Sequence, residues 1–307
     1  MLVVLNALLP VFMLIALGLI LRRVLLPDDS HWVGLERIVY YVLFPALLIV
    51  TLARADLASV PAADVGFALL LAALITSALC FVVRPVLARL GVGGPAFTSV
   101  FQGATRFQTY VALSVVGNLY GAVGLTLASV ATVAMVPILN VLSVAVMTRY
   151  AASKPLSRWQ VAGLILRNPL IWACLIGIAL SLLHIPLTGP VFQFGNALGS
   201  ASLAVGLLIT GAGLRLDGLL RIGPATAAAV LLKLVVMPLI AATLGLLFHL
   251  DGANLAVVVC CAAVPTSSSA YVLARQMGGD APLLAQIITL QTALAAVTMP
   301  LALALVR

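Results

Sequence analysis

Charged residues are scarce in this chain: only 8% of its 307 residues are Asp, Glu, Lys or Arg, while 64% are hydrophobic. A water-soluble domain usually carries about a quarter charged residues, so the composition excludes a soluble enzyme. The four cysteines lie within apolar runs and lack the spacing of a metal site or disulfide framework, so we interpret them as buried thiols. Motifs of hydrolases, metalloenzymes and ATP-driven pumps are also missing, which argues against an enzyme.

Acidic residues are even scarcer than basic ones, 8 against 16, which leaves a formal charge of +8. The bases stand singly or in pairs between long apolar runs, without the clusters and interleaved aromatics of a nucleic-acid surface. This pattern is typical of polytopic membrane proteins, so we expect the lipid bilayer, and no nucleic acid, as a partner. No basic segment precedes the first apolar run, so we expect that run to remain as a helix.

The long apolar runs predict an all-α polytopic membrane protein with ten transmembrane helices. A helix crosses the hydrocarbon core with about 20 apolar residues, whereas strands of a barrel would show about ten of alternating polarity. Turn residues separate the runs. The predicted spans are 2–21, 38–53, 65–83, 95–117, 121–147, 168–183, 190–213, 224–248, 254–274 and 282–306.

The distribution of Lys and Arg predicts the orientation. Twelve of the 16 fall in one set of predicted loops, and only Arg54 and Arg307 fall in the opposite set. Basic loops face the cytoplasm, so we expect both termini on the non-cytoplasmic side. The two remaining bases, Arg106 and Lys233, lie within spans.

A basic connection at 149–167 divides the chain into two units of five spans, 1–148 and 168–307. Because five is odd, a duplicated unit must insert in the opposite orientation, so this division predicts two inverted repeats. Matches at one offset of 161 residues support a duplication: Arg54, Asp56, Thr105, Tyr110 and Val111 with Arg215, Asp217, Thr266, Tyr271 and Val272. Inverted repeats are a transporter architecture, with the binding site near the midplane.

Two polar stretches in the middle of spans four and nine form the candidate substrate site, Gln102–Tyr110 and Pro265–Tyr271. A proline removes a backbone donor, so we expect a helix break before Thr266, and Gly103 with its polar neighbours favours a break in span four. Half-helices that restart after such breaks direct their N-terminal amides at the site and attract anions. Alternatively, the Ser and Thr hydroxyls only bond back to their own helices.

Arg106 is the most informative single residue. It lies near the predicted bilayer centre, where an arginine costs roughly 2.5–3.5 kcal/mol and cannot lose its proton. All eight acids fall in predicted loops, so we expect Arg106 to face backbone carbonyls at a helix break, a ligand anion, or both. Lys233, deep in span eight, fits a binding, structural or lipid-facing role, and Asn168 fits a supporting role or a helix start.

Four stretches together resemble the auxin efflux carrier family, and more narrowly its short bacterial members within the wider superfamily of bile-acid, arsenite and riboflavin carriers: Gln102–Val111, Arg167–Leu170, Lys233–Ile240 and Val264–Gln276. The resemblance implies that helices four and nine break and cross at the substrate site. It also implies an elevator motion of a transport domain, spans 3–5 and 8–10, against a scaffold of spans 1, 2, 6 and 7. It further implies that the substrates are small organic anions, that the protein lies in the bacterial inner membrane and that it forms a homodimer.

The resemblance also assigns site residues. Those matched to substrate binding are Thr105, Arg106, Gln108, Thr109, Tyr110, Pro265, Thr266, Ser267, Ser268 and Ser269. Apart from the resemblance, we take Lys233, Tyr271 and Asn168 as candidates for ion binding or for supporting the site. Two departures weaken the case for auxin. Ala104 stands where plant carriers have proline, and Gln108 stands where bacterial relatives often have Asn.

Three functions follow. The first is a secondary transporter that exports small carboxylates, driven by the membrane potential and without a cofactor. The second is sodium-coupled uptake, in which the hydroxyls of Thr266–Ser269 and freed carbonyls bind Na⁺ as the coupling ion. The third, which fits less well, is an anion channel.

Overall fold

The computed structural model describes residues 2–55, 61–151, 163, 168–216 and 222–306, and within them the chain is helical without a strand. Most of the predicted connection at 149–167 lies outside these residues, as do Asp56, Asp217 and Arg167. The helices are α1 Leu2–Val24, α2 Asp29–Ala53, α3 Ala62–Arg89, α4 Gly94–Thr105, α5 Thr109–Tyr150, α6 Pro169–Leu182, α7 Gly189–Ala212, α8 Pro224–Leu247, α9 Gly252–Ala263, α10 Ser269–Met277 and α11 Ala281–Ala304.

Seven helical stretches in the described part are long and apolar enough to cross a membrane. They are α1, α2, α3, α7, α8, α11 and the stretch Gly94–Tyr150, which contains both α4 and α5. Two shorter apolar helices, α6 and α9, accompany them. The predicted all-helical, membrane-type architecture is therefore confirmed, while the count of ten spans stays a prediction.

Helix α2 begins at Asp29, well before the predicted start of span two at residue 38. The reason is a local cap, because the Asp28 carboxylate accepts a hydrogen bond from the backbone N–H of Ser30 at 3.0 Å. As a result Asp29 and Glu36 lie on a helix, and Asp64 lies in the first turn of α3, so the prediction that all acidic residues fall in loops is wrong for these three.

Helices α2 and α8 each contain one π turn, at Val39–Leu43 and Leu232–Val236. Each turn stands directly before a proline at the second position of the next helical segment, Pro45 and Pro238. A proline lacks the N–H that would continue the regular ladder, which explains the local widening. Tyr40 lies in the π turn of α2, and Lys233 lies in the π turn of α8.

Helix α5 is two helices joined at Gly121, where φ is 57° and ψ is −138°. A positive φ of this kind is readily adopted only by glycine, so Gly121 sets the position of the bend. The predicted interruption between spans four and five was 118–121, and the bend lies at its last residue, Gly121.

The helices pack in two groups. In the first, α1 lies along α7, and α2 lies against α6 and α7. In the second, α3, α5, α8 and α9 pack against one another, with α4 and α11 beside them. The candidate site lies where the two groups meet.

Helices α1 and α7 approach until their backbones touch. A Cβ atom at Gly18 would overlap the carbonyl of Leu208, and a Cβ atom at Gly211 would overlap the carbonyl of Ile15. Small residues at such crossings let membrane helices pack closely.

We expect Gly211→Ala to destabilise the protein by about 1–3 kcal/mol, because the added methyl group must push α1 away from α7. The matched control is Gly34→Ala in α2, where an added Cβ meets nothing within 4 Å and should raise stability slightly. Thermal unfolding of the purified variants measures both effects. Equal melting temperatures for the two variants would contradict the close packing.

Candidate functional site

Two helix breaks lie at the centre of the molecule. Helix α4 ends at Thr105, Arg106 is extended (φ −73°, ψ 155°), and α5 begins at Thr109. Helix α9 ends at Ala263, Val264 is extended (φ −66°, ψ 152°), and α10 begins at Ser269. The structure has both breaks that the sequence favoured.

The positions of the breaks differ in detail from the expectation. The second surrounds Pro265, as the missing donor of a proline predicts, but Gly103 stays helical and the first break follows it. Thr105 is the last residue of α4, whereas Thr266 lies inside the second break. The match of Thr105 with Thr266 at a constant offset therefore does not hold position by position.

The two breaks contact each other directly. The backbone N–H of Gln108 donates to the carbonyl of Pro265 at 2.8 Å. The Thr266 hydroxyl donates to the carbonyl of Gly103, one of the acceptors that the end of α4 leaves free. Unpaired backbone groups at membrane depth are costly, and each break supplies partners for the other.

Gln291, on α11, completes this contact and was missed by the sequence reasoning. Its side-chain oxygen accepts from the N–H of Thr266 at 3.0 Å, and its side-chain nitrogen donates to the carbonyls of Gly103 (2.9 Å) and Ala229 (3.1 Å). The side chain is fully buried. An amide residue in the middle of an apolar run is the signal that could have revealed it.

Arg106 lies in the first break with little to neutralise it. One guanidinium nitrogen donates to the Ser269 hydroxyl at 2.9 Å, and the Ser267 hydroxyl lies 2.9 Å from that of Ser269. In the described part of the chain, the ion pairs involve Asp29 and none involves Arg106. A guanidinium has five N–H donors, so most of them stay available to a ligand.

Arg106 lines a cavity of about 580 Å³. The cavity is lined by residues of α2, α6 and α7, by the second part of α5, and by the two breaks together with α10. Its polar lining residues are Glu36, Arg37, Tyr40, Tyr41, Arg106, Gln108, Thr109, Tyr110, Asn140, Asn168, Thr210, Ser267, Ser268, Ser269 and Gln276. The volume suits a small molecule, and the lining offers hydroxyl, amide and guanidinium groups to it.

A family model described as membrane transport protein matches residues 3–303, nearly the whole chain. The chain belongs to the auxin efflux carrier family. No curated protein sequence matches it. Because this is a family of membrane transporters, the protein is an integral membrane transporter, consistent with its apolar helices.

Eight of the residues predicted for the site line the cavity. They are Arg106, Gln108, Thr109, Tyr110, Asn168, Ser267, Ser268 and Ser269. The sequence reasoning missed other polar lining residues, most of which lie on segments distant from the two breaks. Glu36, Tyr40 and Arg37 come from α2, Thr210 from α7, Asn140 from α5 and Gln276 from α10.

Gln108 and Tyr110 connect the first break to the neighbouring helices. The Gln108 side-chain nitrogen donates to the hydroxyls of Thr210 (3.0 Å) and Ser268 (3.1 Å), which joins α7 to both breaks. The Tyr110 ring packs edge-on against Phe44, with ring centroids 5.2 Å apart. Tyr110 also lies against Gly206, where any Cβ atom would collide with the ring.

The remaining predicted residues lie behind the cavity wall. Thr105 bonds back to the carbonyl of Phe101, which is the alternative left open for the hydroxyls. Pro265 and Thr266 make the contact between the breaks. The centroid of the Tyr271 ring lies 5.9 Å from the guanidinium carbon of Arg275, and Tyr271 does not line the cavity.

Lys233 is fully buried in the π turn of α8, so its side chain does not face lipid. Its ammonium group donates to the sulfur of Met237 at 3.3 Å. It does not line the cavity.

Proposed function

We propose that this transporter carries small organic anions, carboxylates, across the membrane by alternating access. The observation that carries the proposal is the position of Arg106, which lines the cavity from a helix break without a carboxylate partner among the described residues. A guanidinium binds a carboxylate through two parallel hydrogen bonds, and these are stronger than bonds between neutral groups.

The half-helices that begin after the breaks support an anionic ligand. Their cap residues, Gln108 for α5 and Ser268 for α10, make no side-chain capping bond to the first amides. The first amides of a helix lack the usual intrahelical partner, and the helix dipole favours negative charge there. In α10 the amides of Ala270 and Tyr271 already donate to the carbonyls of Ser267 and Ser268, so α5 offers an anion the better set of amide donors. Thr109 and Ser269, the first residues of these helices, line the cavity.

We infer ten membrane crossings arranged as two inverted repeats, 1–148 and 168–307. In this count α4 with the first part of α5 is span four, the rest of α5 is span five, and α9 with α10 is span nine. Two features support the symmetry. Helices α4 and α9 each contain 12 residues before their breaks, and each is followed by an extended residue.

We propose an elevator mechanism, in which spans 3–5 and 8–10 move as a transport domain against a scaffold of spans 1, 2, 6 and 7. The two packing groups support this division, because α1, α2, α6 and α7 form one of them. The cavity lies between the groups, with Tyr40 and Thr210 on one side and Arg106 on the other. Sliding of one group past the other would carry a bound anion with Arg106.

We propose that the protein exports anions from the cytoplasm across the bacterial inner membrane. We also propose that both of its termini lie on the non-cytoplasmic side. Arg37 and Gln276 line the cavity and belong to segments on the basic, predicted cytoplasmic side. A cytoplasm-negative potential favours exit of an anion by about 2.3 kcal/mol per charge per 100 mV. Export of a monoanion therefore needs no coupling ion.

Sodium-coupled uptake is the alternative, and the hydroxyls that would bind Na⁺ already have partners. Thr266 donates to Gly103, Ser268 accepts from Gln108, and Ser267 pairs with Ser269. These bonds do not exclude Na⁺, because a donating hydroxyl keeps its lone pairs. Uniport is the simpler mechanism because anion export down the membrane potential needs no coupling ion. An anion channel would instead need an open path beyond the breaks.

Thermal stability of the purified protein with acetate, butyrate, benzoate and succinate, each as sodium and as choline salts, tests the proposal. A ligand at 100 times its Kd should stabilise the folded state by about 2.7 kcal/mol. We expect at least one carboxylate to raise the melting temperature equally with both cations. Stabilisation only with sodium would favour the coupled alternative, and no stabilisation by any carboxylate would contradict anion transport.

A further inference from the structure

We propose that Glu36 selects the substrate by excluding a second negative charge, so that this transporter takes compounds with one carboxylate and rejects dicarboxylates. The inference rests on the proposed function, because it concerns the far end of a ligand that Arg106 holds. Glu36 lines the cavity and is half-buried. It has no hydrogen-bond or ion-pair partner among the described residues.

Arg106 and Glu36 line the same cavity. Arg106 lies close enough to Tyr40 for the two groups to interact electrostatically, and Glu36 interacts in the same way with Tyr110. Glu36 and Tyr40 are four residues apart on α2, so they lie on one face of the helix. A ligand whose carboxylate is held by Arg106 therefore extends into a cavity that Glu36 also lines.

A small dicarboxylate would bring a second carboxylate into this cavity. Two like charges in one cavity repel strongly where the effective dielectric constant is well below that of water. A monocarboxylate meets no such repulsion, and a hydroxyl or amide donor at its far end would bond to the Glu36 carboxylate.

Arg37 does not remove this repulsion, although it also lines the cavity. It follows Glu36 directly in the sequence, so it points about 100° away from it around the helix. Its side chain is exposed, whereas that of Glu36 is half-buried. Solvent screens an exposed charge more strongly than a half-buried one, so Arg37 offsets the negative charge of Glu36 only in part.

Butyrate and succinate are the probes, because they have the same four carbons and differ by one carboxylate. Their Kd values are measured as choline salts by thermal stabilisation and by calorimetry on the full-length protein, its Glu36→Gln variant and its Glu36→Asp variant. The control is Asp64→Asn, which removes one negative charge from an exposed residue at the start of α3 that does not line the cavity.

We expect the unaltered protein to bind butyrate at least about tenfold more tightly than succinate. Glu36→Gln should improve succinate binding about tenfold and change butyrate binding by less than about threefold. Glu36→Asp and Asp64→Asn should both keep the preference for butyrate, since each leaves a carboxylate at the cavity.

Two results would overturn the inference: equal binding of the two acids by the unaltered protein, or the same ratio of affinities before and after Glu36→Gln. Both differ from a failure of the proposed function, in which neither acid binds any variant. That last result would reject carboxylate transport and the selectivity together.

Discussion

Arg106→Gln is expected to weaken carboxylate binding by about 10–100-fold, because it removes charge-assisted hydrogen bonds worth about 1.5–3 kcal/mol. Gln keeps a polar side chain in the break, so its amide can still bond to the Ser269 hydroxyl, which accepts from Arg106 at 2.9 Å. The loss should therefore appear in ligand affinity while the melting temperature of the unliganded protein stays nearly unchanged. Thermal stabilisation by the best carboxylate, titrated over a range of concentrations, measures the change.

Two further variants separate charge from geometry. Arg106→Lys keeps the charge but loses the planar fork, so we expect it to recover only part of the affinity. Arg275→Gln removes a base from α10 that does not line the cavity and should bind carboxylates normally. Full affinity in Arg106→Gln would contradict the role of Arg106 in anion binding and would leave it as a residue that only pins the break.

Gln291→Leu is expected to destabilise the unliganded protein by about 1–3 kcal/mol. Leucine fills most of the same volume but leaves the buried Thr266 N–H without its partner, and a buried donor that loses its partner costs about this much. The carbonyls of Ala229 and Gly103 each keep another donor, the Leu232 N–H and the Thr266 hydroxyl. The melting temperature in detergent should fall clearly.

The matched control is Thr292→Val, at the next position of α11. The Thr292 hydroxyl bonds back to the carbonyl of Ile288 in its own helix, which stays paired without it. We expect this variant to lose less than about 1 kcal/mol. A similar loss in both variants would mean that Gln291 does not hold the two breaks together.

The sequence predicted the general architecture well because that architecture depends on local properties. Runs of apolar residues specify membrane helices, glycine specifies the bend at Gly121, and Pro265 specifies a break near it. The predicted start of α2 was wrong because a cap, the Asp28 carboxylate on the Ser30 N–H, outweighs the polar composition of the first turns.

The candidate site was predictable only in part. Arg106 and Ser267–Ser269 could be found because polar side chains in the middle of an apolar span require an explanation. Glu36 and Thr210 could not, since each comes from a different helix and nothing in the sequence shows how far it lies from Arg106. Gln291 could have been noticed as an amide within an apolar run, but its partners could not. Thr105 and Thr266 matched in the sequence, but one ends a helix and the other lies in a break.

By itself the sequence determined that this chain is a helical membrane protein with two polar interruptions and a buried arginine, because hydropathy, proline and charge act within a few residues. Only the tertiary structure decided which groups meet at those interruptions. It placed Glu36 and Tyr40 in the same cavity as Arg106, brought Gln291 to the two breaks and kept Lys233 out of the cavity lining. These relations depend on how helices far apart in the sequence pack, and local patterns do not encode packing distances.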